Sequence, residues 1–339
     1  MTDFPIRKRI AVRCMSALTY RHNRITRATH WINALALMIL FMSGLMIFNA
    51  YPHLHWGSKA EPEEAFFSIY AMNQDGKIRA YTELYGFRVE TTGVLGLQYT
   101  EMGPMPRAFP SWITIPGFYW LAGGRRWHFF FAWLFVLNGL LYFIYNRANG
   151  HVSKFILKPR DLGRLLPMTL YYLRLRKTSP QEGEYNPLQK LAYTSVFFLL
   201  TPLIIVSGLA MSPQLNVAFN WLPAMFGGRQ SARSIHFLLT FLFVFFTLGH
   251  VLMVVTTGVI NNMRSMITGW YKEKLHALEA AVETVAAAPE SATLTPTLSL
   301  EGEGEGEGQK AQQEIQPVRK SDSQPKREKE GDGDEKKES

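Results

Sequence analysis

One cysteine, Cys14, is the whole thiol complement of the 339-residue chain. It excludes an intramolecular disulfide, a cysteine-held iron–sulfur cluster and a CxxCH site for covalent haem. A glycine-rich phosphate loop is also missing. No Asp or Glu interrupts the apolar runs at 28–50, 127–146, 191–211 and 234–258. That absence argues against a proton-coupled transporter and against zinc or di-iron sites inside those runs. Acid is scarce at the N-terminus too: Arg7, Lys8, Arg9, Arg13, Arg21, Arg24 and Arg27 face only Asp3.

What is present is strongly segregated. Each apolar run is about long enough to cross a bilayer as a helix. From Glu279 onward the chain is rich in Ala, Glu, Gly, Lys and Pro and contains EGEGEGEG at 301–308. Such a segment cannot bury enough apolar surface to offset its ordering entropy, so 279–339 is expected to be a disordered tail. The first run is too long for a signal-peptide core, and no small-residue cleavage site follows it, so no removed leader is expected.

Orientation follows from Lys and Arg. The N-terminal arm 1–24 and the connection 147–187 are basic; the segment 51–124 is roughly balanced. Both termini and 147–187 are therefore expected in the cytoplasm and 51–124 in the periplasm, in a bacterial inner membrane. The net charge of +9 reflects this topology and gives no reason to expect nucleic acid as a partner. The membrane domain is expected over 25–275, with spans at about 28–50, 127–146, 188–211 and 233–258.

An ionisable side chain within a membrane helix is by default a functional hypothesis. Four of the nine histidines lie in the spans or at their ends: His30, His128, His236 and His250. Fourteen residues of helix turn through about 1400° and rise about 21 Å, so His236 and His250 share one face near opposite ends of the fourth span. That placement suits one axial ligand to each of two stacked haems. The charge-derived topology puts His30 at the depth of His250, and His128 at the depth of His236. Two metal-bearing pairs are thus expected, His30 with His250 and His128 with His236. The competing reading of any one such histidine is an interfacial side chain bonded to backbone or water. MSGLM at 42–46 and VSGLAM at 206–211 recur in equivalent halves of two spans. Gly44 and Gly208 would admit a flat macrocycle against the backbone, or would merely pack helices closely.

The segments RITRATHWIN (24–33), RRWHFFFAWLFVLNG (125–139), YNPLQKLAYTSVFFLLTPLIIVSGLAM (185–211) and SIHFLLTFLFVFFTLGHV (234–251) resemble the four-helix cytochrome b membrane subunits. That family includes the formate dehydrogenase gamma subunit, the NiFe-hydrogenase cytochrome b and the thiosulfate-reductase-type cytochrome b subunit. The resemblance covers roughly residues 20–270. It implies an all-α, integral membrane four-helix bundle holding two haem b, and it implies the same four ligands; the long periplasmic loop is this sequence's own. It also implies a quinone site beside the cytoplasmic-side haem, where Asn186 and Gln189 match, with Tyr185 a weaker candidate. The other reading of Asn186 is a helix N-cap ahead of Pro187.

The long segment 51–124 departs from the formate dehydrogenase and hydrogenase patterns and is nearest the thiosulfate-reductase type. Its aromatics are expected on the membrane surface or beneath a docked subunit. Its His53 and His55 lack acidic or thiol companions, so a structural role is favoured over ligation. LGRLLPMTLYYLRLR at 162–176 is expected as an amphipathic interfacial helix.

The function expected is a di-haem electron-transfer subunit. It would connect the quinone pool with a periplasmic redox catalytic subunit, of molybdenum or iron–sulfur type among the options. A stand-alone quinol-oxidising cytochrome b and a haem-free membrane anchor are the alternatives. A homo-oligomer stays open.

Overall fold

The structure, a computed structural model, describes residues 18–150, 156–178 and 186–272. The arm before residue 18, His151, Tyr185, His276 and the tail 279–339 lie outside the described residues.

Four helices are long and apolar enough to cross a membrane. Helix α1 is Arg24–Phe48 and α2 is Leu121–Ala148. After a short helix α3, Leu165–Tyr172, come α4, Pro187–Ala210, and α5, Arg229–Thr256. Asn23 caps α1 by accepting from the Thr26 N–H at 2.8 Å, and its amide donates to the Tyr145 hydroxyl near the end of α2. The start of α1 and the end of α2 therefore lie together, and the two helices run antiparallel. Ala36, Ile39 and Phe131 form the buried contact between them. A polar clamp joins them in the first half of α1: the Asn138 amide donates to the Thr29 carbonyl and to Asn33 Oδ1. Helices α4 and α5 form the second pair, closed by Ala210, Leu222 and Ala232. Packing is dense within each pair and sparse between the pairs.

Helix α4 is not uniform. It contains one π-helical turn, Val196–Leu200, in which the Thr201 N–H reaches back to the Val196 carbonyl. Pro202 follows and has no N–H to give the Phe198 carbonyl. Widening the turn keeps the pyrrolidine ring off the preceding backbone.

The all-α class describes the spans and is corrected for the connection between α1 and α2. Strands β2 (His53–Leu54), β3 (Phe67–Gln74), β4 (Lys77–Leu84) and β5 (Phe87–Glu90) form an antiparallel sheet in that order. Asp75–Gly76 and Tyr85–Gly86 make its two-residue turns, all at positive φ, which matches the twist of a tight hairpin. A smaller ribbon pairs β6 (Leu97–Thr100) with β7 (Gly103–Pro106). Leu54, Phe66, Ile69, Ala108 and Phe109 pack onto Leu45 and Phe48 of α1, so the sheet is bonded to one end of the bundle. That end is the loop end.

At the other end, Gly258 turns the chain into α6, Val259–Thr268. Strand β8 (Trp270–Lys272) then pairs with β1 (Leu18–Tyr20), which precedes α1. The expected helix over 162–176 is shorter: α3 ends at Tyr172, and Arg174 takes a left-handed φ of 60°, which breaks it.

Candidate functional site

The four span histidines come together as two pairs. The His128 and His236 rings lie 6.2 Å apart between centroids, and so do those of His30 and His250. A metal–imidazole bond is about 2.0 Å and the ring centre lies about 1.1 Å behind its nitrogen, so two imidazoles flanking one iron sit about 6.3 Å apart. The residues present therefore fit two bis-histidine haems.

The loop-end pair is built by local repetition. Ser43 and Ser207 are fully buried, each one residue before a glycine. His128 Nδ1 lies 3.2 Å from Ser43 Oγ, whose own proton goes to the Ile39 carbonyl at 2.6 Å. His236 Nδ1 lies 3.0 Å from both Ser207 Oγ and the Ile204 carbonyl. The Ile204 carbonyl can only accept, and Ser43 Oγ has already given its proton to Ile39, so Nδ1 carries the proton in both rings and Nε2 keeps its lone pair. A ligand imidazole needs that tautomer, and the bond from Nδ1 also fixes the ring's direction. Gly44 and Gly208 leave room for these rings: a Cβ there would meet His128 Cε1 at 3.5 Å and His236 Cε1 at 3.3 Å. The glycines thus admit an imidazole from the neighbouring helix, which neither earlier reading of the repeated motif specified. The serines were missed. Their signal was the repeated Ser-Gly-Leu itself.

The other pair lacks this bracing. Among the described residues His30 Nδ1 is buried without a partner, and its ring stands edge-on to Trp31. His250 lies over Phe246.

The loop end is closed by the segment joining α1 to the sheet. The Gly57 carbonyl accepts from the N–H groups of Gln230 and Ser231 in the first turn of α5. Ser231 Oγ accepts from the Gly57 N–H at 2.7 Å, and Ser234 donates to the His55 carbonyl at 2.7 Å. Phe48 stacks on Phe237 at 4.6 Å, one residue from His236. His53 and His55 serve this closure. His53 bonds Ser68 Oγ, and His55 Nε2 donates to the Glu61 carbonyl. Burial, then the charges of His55 and Arg233, push His53 below the ordinary histidine pKa. Among the described residues no cluster of three His, Cys, Asp or Glu could hold a metal ion.

Asn186 and Gln189 form a reciprocal capping box at the start of α4. Asn186 Oδ1 accepts from the Gln189 N–H at 2.8 Å, and Gln189 Oε1 accepts from the Asn186 N–H at 3.1 Å. Asn186 also donates to the Tyr172 hydroxyl. Beside the box, Lys190 Nζ reaches both Asp161 oxygens at 3.1 Å. The Lys158 backbone N–H and then Lys190 hold the Asp161 carboxyl below the usual carboxylate range. The cap reading of Asn186 is therefore seen directly. No hydrogen bond joins Asn186 or Gln189 to His30 or His250 among the described residues, and the Gln189 amide N–H group is the donor left over.

Three comparisons bear on this arrangement. A family model described as prokaryotic cytochrome b561 matches residues 21–269. The protein named "Putative protein-methionine-sulfoxide reductase subunit YedZ1", from Azospira oryzae, is 28% identical over 246 residues, covering 72% of this chain and 93% of that protein. No solved structure matches.

Proposed function

The chain belongs to the prokaryotic cytochrome b561 family of membrane haem b proteins, and from that premise we propose that it holds two haems and passes electrons between membrane quinol and a periplasmic reductase subunit. Haem b, when bound, supplies a one-electron iron couple. The protein supplies ligands, insulation and spacing. The observation that carries the reading is the equal 6.2 Å separation of two histidine pairs on α5 and its neighbours. His30 and His250 would hold the iron nearer the cytoplasm, and His128 and His236 the iron nearer the periplasm. Ser43 and Ser207 orient the periplasmic-side ligands. The Phe48–Phe237 stack and the sheet above it keep water from that end.

The basic N-terminal arm and the basic 147–187 connection support an inner-membrane topology with the loop end outside. A subunit of a reductase is what the Azospira relative's name describes. Carried to this chain, it supports a periplasmic catalytic partner and electron flow outward from quinol. The sheet over the loop end offers that partner a folded surface close to the outer pair. Quinol would react near the inner pair, where the start of α4 places Gln189, whose amide N–H group meets no acceptor among the described residues.

Reduction of each haem by a quinol analogue tests the routing. Full-length His236→Ala should keep one haem, and quinol should still reduce it. His250→Ala should keep the other haem and lose quinol reduction. Reduction at the normal rate in His250→Ala would move the quinone site to the outer face.

A further inference from the structure

Three of the four paired histidines share a neighbour at one spacing. Arg27 precedes His30, Arg125 precedes His128 and Arg233 precedes His236, each by three residues within a helix. Residues three apart lie on one helix face, and helical side chains lean toward the N-terminus. Each guanidinium is thus set on the histidine's face, about 4.5 Å of rise or more toward the nearer membrane surface.

None of the three has a carboxylate partner among the described residues. The ion pairs there are Lys59–Glu61, Arg79–Glu90, Arg88–Glu83 and Lys190–Asp161. Arg233 is half-buried, donates to the Tyr51 carbonyl and lies 5.6 Å from the Phe48 ring centre and 5.3 Å from that of Tyr51. Arg27 donates to the Ile267 carbonyl, while its Nε is buried without a partner. Arg125 lies 5.7 Å from the Phe129 ring centre. Carbonyls and ring faces solvate these cations without neutralising them. Arg27 and Arg233 are partly buried and Arg125 is exposed, and a cation partly buried at a bilayer edge calls for an anion.

We propose that these arginines bind haem carboxylates: Arg233 and Arg125 the propionates of the haem between His128 and His236, and Arg27 a propionate of the haem between His30 and His250. The inference rests on the ligand assignment made above. Each haem then turns its carboxylate edge to the nearer membrane surface. The Arg-x-x-His spacing is one device used three times: the histidine holds the iron and the arginine sets the rotation of the macrocycle about the iron–histidine axis. His250 needs no arginine of its own, because Arg27 serves the same haem edge.

The test is a redox titration of the full-length chain in detergent, with haem content measured beside it. Wild-type protein with fewer than two haems would sink the ligand assignment, and this inference with it. With two haems present, Arg233→Gln should make one haem harder to reduce, and it should be the haem that His236→Ala lacks. A unit charge about 10 Å away at an effective dielectric of about 20 changes the reduction constant by roughly tenfold or somewhat more. Tenfold is about 59 mV for one electron. Arg27→Gln should shift only the other haem, and Arg233→Lys should restore most of the Arg233→Gln change. Should Arg233→Gln lose its haem outright, Arg233→Lys decides: a haem regained near the wild-type potential supports the proposal, and a haem lost in both overturns it. Two haems at unchanged potentials in Arg233→Gln would also overturn it. That is the result expected if the guanidinium serves only the Tyr51 carbonyl or a lipid phosphate.

Discussion

Bulk beyond a single methyl at Gly208 should expel one haem and spare the other. A Cβ at Gly208 would stand 3.3 Å from His236 Cε1 and 3.6 Å from its Nδ1, closer than ordinary contact at the first distance. At Gly44 the matching distances to His128 are 3.5 and 3.7 Å, which are ordinary. Replacing Gly by Ala inside a helix contributes about 0.5–1 kcal/mol of stability. Gly44→Ala should therefore be neutral or stabilising. Gly208→Ala should come out near zero, the helical gain offsetting the tight contact. Gly208→Val adds methyls beyond a Cβ already against the ring. The ring cannot retreat, because Ser207 and Ile204 hold its Nδ1. Overpacking of this kind costs about 1–3 kcal/mol, and turning the imidazole away from its partner would relieve it. Gly208→Val is expected to retain one haem per chain, with the absorption of the pair His30 and His250 unchanged. Haem per chain, with a thermal melt of each variant, is the assay. Gly208→Val keeping both haems with unchanged spectra, or Gly44→Ala proving as damaging, would refute the reasoning.

Asn138→Leu removes the amide that joins α1 to α2 and leaves Asn33 unpartnered, so stability in detergent should fall by about 1–2 kcal/mol; removing Asn33 as well should recover part of the loss. Lys190→Met strips the buried Asp161 of its cation and should cost about 2 kcal/mol at neutral pH. Because the folded Asp161 pKa is depressed, its contribution is full above the unfolded carboxylate value of about 3.9 and is lost as pH falls through the lower folded value. Melting temperature against pH should thus drop more steeply on the acid side in wild type than in Lys190→Met.

The spans were legible because lipid demands long uncharged helices, and the depth of each histidine followed from Lys and Arg flanking those spans. Helical geometry then put His236 and His250 on one face, and the structure places His128 and His30 opposite them at equal separations. The sheet was less legible. Its two eight-residue strands alternate poorly between buried and exposed, yet the Asp75–Gly76 pair is a strong hairpin signal and could have exposed it. Ser43 and Ser207 stayed hidden for another reason. A serine in a membrane helix ordinarily bonds its own preceding turn, as both of these do. Only tertiary placement shows that each oxygen also faces an imidazole from the next helix. Asn186 shows how one residue supports two readings, since its cap is now explicit while its bearing on quinone rests on function.

Haem content in two double variants tests the pairing most directly. Each iron is assigned one histidine from α5 and one from α1 or α2. His128→Ala with His236→Ala empties one pair and leaves the other whole, so one haem per chain should remain, with His30 and His250 as its ligands. His30→Ala with His236→Ala removes the same number of imidazoles but breaks both pairs, so no bis-histidine haem should remain. Equal haem content in the two double variants, or a bis-histidine haem retained in the second, would contradict the account.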